Sequence, residues 1–172
     1  MEEIVLRLHE IIKAGLPEGV IKRYYIGAPD TRTDRVMPSI ETEVTDMDFG
    51  LGPTGMDTVL YHVDMYVVFA KKQGVRNAGG MNDGEDSRAG YKQMMDLIHG
   101  TDSTGTYVTY KKSIMKILRE HIFLSSDTIN TTGEISFNNN IRVSVLPSDS
   151  EQSYFAVRIS MKINQLIQIN HQ

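Results

Sequence analysis

His62 and Asp64 stand two residues apart in the run TVLYHVDMYVVFA, so on a strand both point to the same face. An imidazole beside a carboxylate can hold a metal ion. A metal site needs at least one further ligand from another element, and His9, His99, His121 and His171 are scattered along the chain. The pair therefore predicts a polar or interface-facing strand surface, with no metal site. Asp46, Asp48 and Asp57 occupy the first, third and twelfth places of a calcium-loop register. Gly50 and Leu51 stand where that loop needs an oxygen ligand and a glycine, so a glycine-rich turn between strands is expected instead. Pro29-Asp30 followed by Glu41-Thr42-Glu43 has the acidic spacing of a metal-dependent nuclease, but Glu43 replaces the required lysine. Glu41 and Glu43 are expected on the solvent face of a strand. Gly74, Gly79, Gly80 and Gly84 lack the GK[ST] or helix-opening context of a phosphate cradle. Ser87 and Ser113 lack a nucleophile elbow. There is no cysteine, which excludes disulfides, thiolate metal sites and cysteine nucleophiles. No catalytic set and no cofactor are expected.

The elements that must carry these residues can be read from periodicity. Residues Glu2–Ala14 predict an amphipathic helix with Ile4, Val5, Leu8, Ile11 and Ile12 on one face. Gly15 is expected as its C′ residue, with Pro17 preventing continuation. Val20–Ile26 and Val36–Val44 predict strands, the second an edge or beginning near Ser39 because Pro38 cannot donate to a ladder. Asp46–Asp57 is expected as a loop. The long strand at 58–70 alternates Val59, Tyr61, Val63, Met65, Val67 and Phe69 against a mixed face. Two helices follow, one carrying Tyr91, Met94, Met95 and Ile98 with Ser87 as a cap, the other near Lys111–Ile122. Ile129–Phe137 reads as a short strand with a turn at Gly133, and Ile141–Leu146 and Ser153–Ile167 as two more. The expected fold is α+β: a single domain over 1–172, built on one mixed or mainly antiparallel sheet with helices packed on one face.

Between the long strand and the next helix lies an excursion at 71–90 with almost no apolar content. A bare loop of that size in a compact domain is functional or disordered. Its mixed charge suits an arm that orders on contact with a neighbour. The expected assembly-interface residues are Lys71, Lys72, Arg76, Asn77, Met81, Asn82, Asp83, Glu85 and Asp86. The 172 residues carry a formal net charge of −4, which does not favour non-specific phosphate binding. No run approaches the ~20 apolar residues of a membrane helix, and the N-terminus lacks a signal-peptide pattern, so no membrane partner is expected.

The helix-to-corner segment IVLRLHEIIKAGLPEG, the strand VLYHVDMYVVFAKK, the helix YKQMMDLIHG and the closing YFAVRISMKINQLI follow one another in an order that resembles the tail terminator and tail-completion (neck) proteins of long-tailed bacteriophages. The resemblance covers nearly the whole chain and rests on element order. It implies a virion protein, assembled in the host cytoplasm. Six identical subunits would form a ring that caps the tail tube and joins it to the head-connector proteins. DNA would pass only as cargo. The family works through surfaces, so no residue roles carry over and no enzymatic activity is implied. The 71–90 excursion and the second helical segment depart from the simple pattern and leave another neck or tail subunit open. A reading from a different class is a cytoplasmic ligand-binding or metal-dependent enzymatic domain, with His62, Asp64 and His121 converging in a cleft. For a ring subunit, the Pro38-containing strand and the terminal strand are the expected open edges.

Overall fold

The computed structural model describes residues 2–27, 36–51, 56–70, 94–100, 113–122, 124, 133–135, 141–146 and 154–168. The 71–90 excursion, with all nine of its expected interface residues, lies outside them, as do Ser87 and the Pro29-Asp30 pair.

Six strands form one mixed sheet: β1 (Arg23–Ile26), β2 (Ser39–Leu51), β3 (Met56–Ala70), β4 (Gly133–Ile135), β5 (Arg142–Val145) and β6 (Tyr154–Gln168). The order is β1-β2-β3-β6-β4, with β5 also pairing β6. β1 runs parallel to β2, and the other pairs are antiparallel. The axis of the sheet is the β3–β6 pair, in register from Met56↔Gln168 to Ala70↔Tyr154. β3 is 15 residues long, about 50 Å at the usual rise.

Alternation decides which face is covered. Val59, Tyr61, Val63, Met65, Val67 and Phe69 on β3 are buried, and Val157, Ile159, Met161 and Ile163 on β6 extend the same layer. The helices α1 (Glu2–Gly15), α2 (residues 94–99) and α3 (Ile114–Glu120) pack onto that face. α1 contributes Ile4, Leu8, Ile11 and Ile12; α2 contributes Met94 and Ile98. α3 contributes Ile114, Met115, Ile117 and Leu118. Ser113 caps α3, its hydroxyl accepting from the Lys116 amide at 3.2 Å. Among the described residues the opposite face has a smaller apolar group, Tyr66, Val68 and Ala156, with Met37, Leu146 and Tyr154 against it.

Several expectations are corrected. The Asp46–Asp57 segment is not a loop: β2 continues to Leu51 and β3 begins at Met56. The register shifts between Val44 and Asp46, a β-bulge at Thr45. A bulge moves the alternation by one residue, so Ile40, Thr42 and Val44 share a face with Met47 and Phe49. The first strand begins only at Arg23, because Gly19 (φ 79°) turns the chain and the Val20 amide bonds the Pro17 carbonyl. Gly133 opens β4 rather than forming a turn. The terminal strand β6 is no edge; β3 flanks it on one side and β4 and β5 on the other. β2 begins at Ser39 after the cis Met37-Pro38 bond, is paired by β1 only over Ser39–Thr42, and is open beyond that among the described residues. Gly15 lies within α1 and has no left-handed backbone; an added Cβ would lie 2.6 Å from an Ile117 side-chain carbon. Close approach of α1 to α3, not a turn, is what requires glycine there.

Candidate functional site

The sheet face away from the described helices is ordered by charge. Reading across the strands, one row runs Glu43, Asp64, Ser160, Arg142. The next runs Glu41, Tyr66, Arg158, Ser144, and a third runs Asp46, His62, Lys162. Each row has a carboxylate on β2 and a base on β6 or β5, and the first has a second carboxylate, Asp64, on β3. β2 carries Glu41, Glu43, Asp46 and Asp48 and has no lysine or arginine.

Cross-strand bonds tie the rows together. The Tyr66 hydroxyl donates to Glu43 Oε1 at 3.0 Å. Burial, the bond and charge of Glu43, and the charge of Asp64 push the Tyr66 phenol up to about 12; Arg158 opposes them. Arg158 lies 3.8 Å from Asp64, a long contact for a charged pair. His62 Nε2 meets Asp48 Oδ2 at 2.9 Å, and Thr45 at the bulge donates to the His62 carbonyl at 3.2 Å. A shallow depression of about 140 Å³ opens here, bordered by Thr45, His62, Asp64, Ser160 and Lys162.

His62 and Asp64 do share this face, as their spacing predicts, but the partner of His62 is Asp48 on β2. Sequence reading placed Asp48 in a loop, so this contact was missed. His121 caps the C-terminus of α3, which packs against α1 on the other side of the sheet, so it does not join His62. Among the described residues, no group of three or more His, Asp or Glu side chains could hold a metal ion. His99 lies on α2, also on the helical side. Glu43 reaches the open face as expected, whereas Glu41 is buried and accepts from the Ser39 hydroxyl at 3.3 Å.

Sequence reading also missed His9. It lies on the apolar stripe of α1, four residues after Val5 and three before Ile12, and that position is its signal. The ring is buried, 2.9 Å from the Thr42 hydroxyl and 5.3 Å between centroids from Tyr24. Burial lowers its pKa to about 4.

The other prominent surface is the far end of the β2–β3 hairpin. Phe49 is 74% exposed and Leu51 97%, and two strands away Leu166 and Ile167 at the end of β6 are also exposed, with Ile167 on the face of Leu51 and Leu166 on the opposite one. Exposed apolar side chains that form one contiguous patch mark interaction surfaces, whereas scattered ones are ordinary. No described strand pairs the β2 edge from Glu43 to Leu51.

The protein is thus of the α+β class, with one mixed sheet that carries, among the described residues, its three helices on one face. No protein-family model and no curated protein matches the chain. Among the described residues no helix is long and apolar enough to cross a membrane.

Proposed function

We propose that this protein is a structural subunit of a tailed-phage virion, which assembles into a ring that terminates the tail tube and joins it to the head connector. The observation that carries the reading is the far end of β2: Phe49, 74% exposed, and Leu51, 97% exposed, lie on a strand edge that no other described strand pairs. A protein that works alone in water gains nothing from such an edge, which invites pairing with another chain. The order of elements that resembles the tail terminator and neck proteins supports the same reading. The acidic column of β2 suits a ring through which DNA passes as cargo, because carboxylates do not hold phosphate.

Solution mass and negative-stain imaging test it. The purified protein is expected to form closed rings, alone at high concentration or on addition of tail tubes. Phe49→Ser with Leu51→Ser should reduce ring formation while leaving the melting temperature nearly unchanged, since both side chains are already exposed. A strict monomer under both conditions refutes the reading.

A further inference from the structure

We propose that the ring contact is a continuation of the sheet, in which the outer edge of β5 in one copy pairs antiparallel with the free edge of β2 in the next. The proposal rests on the ring-subunit reading above and names the surface that reading leaves open. β2 and β5 sit toward opposite sides of the sheet, and among the described residues neither β2 beyond Thr42 nor the outer side of β5 is paired. The alternating pairing of β2 with β3, β3 with β6 and β6 with β5 makes β5 run opposite to β2. Copies placed side by side with their helices on the same side therefore meet as an antiparallel pair.

The fold also fixes the stagger. Over Ser39–Thr42 the edge of β2 is occupied by the four residues of β1. The neighbour's β5 must slide past them, by about 13 Å at the usual rise. A closed ring of strands requires tilt and stagger of this kind. Sliding by four positions brings Arg142 opposite Asp48 and Ser144 opposite Asp46, all on the face away from the described helices. On the helical face it brings Val143 opposite Met47 and Ile141 opposite Phe49. Base meets acid on one face and apolar meets apolar on the other, and Phe49 gains a cover it lacks in the single chain. A shift by one residue would destroy both matches.

The alternative is a two-fold contact of β2 with β2. It would set Glu43, Asp46 and Asp48 of one chain against the same carboxylates of another, with no base on the strand to offset them. Like charges directly opposite one another disfavour it. A head-to-tail contact between unlike edges is the kind that closes into rings.

Introduced cysteines separate the arrangements, because the natural chain has none. The double variant Asp46→Cys/Ser144→Cys should give a ladder of disulfide-linked multimers on mild oxidation, while Asp46→Cys alone should stay unlinked. Asp48→Arg and Arg142→Glu should each weaken assembly by roughly tenfold or more, and the two together in one chain should restore it. Circular dichroism on each variant checks that it is folded. Dimers from Asp46→Cys alone, or rings from both charge-reversed single variants at wild-type concentrations, overturn this pairing and leave the ring reading standing. A wild-type chain that never assembles overturns both.

Discussion

Acid should weaken this fold through one buried imidazole. His9 sits against Thr42 and Tyr24 with only 7% of its surface exposed, and its pKa falls from 6.5 to about 4. Above pH 6.5 the ring is neutral whether the chain is folded or not, and its titration adds no pH dependence. As pH falls from 6.5 toward 4, the unfolded chain takes up a proton that the folded one refuses. Stability must then drop, by at most about 1.4 kcal/mol per pH unit. Over the whole window the loss is about 3 kcal/mol, a large share of the stability of a domain this size. Below pH 4 both states are protonated and the loss levels off. The assay is urea denaturation of wild type and His9→Gln at intervals from pH 7.5 to 4. Glutamine keeps a hydrogen-bonding group near Thr42 but does not titrate. The wild-type curve is expected to fall more steeply than the variant's, the gap growing as pH drops below 6.5. Parallel curves would refute the argument, as would a resonance of the His9 ring that titrates near 6.5 in the folded protein.

Gly15→Ala should destabilise by about 1–3 kcal/mol, although alanine is the better helix former, because its Cβ meets Ile117 in a packed interface. Denaturant melts should show the loss, and a smaller one in an Ile117→Ala background; a gain in stability in the wild-type background would show that the helices yield. If the proposed ring reading holds and the 71–90 excursion is its arm, deleting Gln73–Glu85 should leave a folded chain that forms no rings. Normal rings from the deletion, seen by negative stain, would remove the arm from the interface.

The sequence carries the buried layer clearly. Val59, Tyr61, Val63, Met65, Val67 and Phe69 keep a strict two-residue spacing, so the axis of the sheet and its helix-bearing face are legible from spacing, although Tyr66 and Val68 on the other face are buried too. The stripe of α1 is equally plain. The distal half of β2 is hidden for a physical reason: the bulge at Thr45 changes the phase, and Gly50 weakens the strand pattern just where it resumes. The His62–Asp48 contact depends on that register, so it could not be found without it. The parallel pairing of β1 with β2 leaves no local mark, since four residues of β1 read alike in either direction. Among the described residues the strand after Pro38 has an unpaired edge only beyond β1, and the closing strand, expected as an edge, lies inside the sheet.

That interior position of β6 sets the order in which the chain can mature. β3, β4 and β5 all precede β6 in synthesis, and each pairs with it. Until Tyr154–Gln168 leave the ribosome, β3 has β2 alone beside it and the helices have half a floor to rest on. A nascent chain stopped before Tyr154 should therefore remain soft and prone to proteolysis, and β2 and β3 acquire their rigid backing only at the last step.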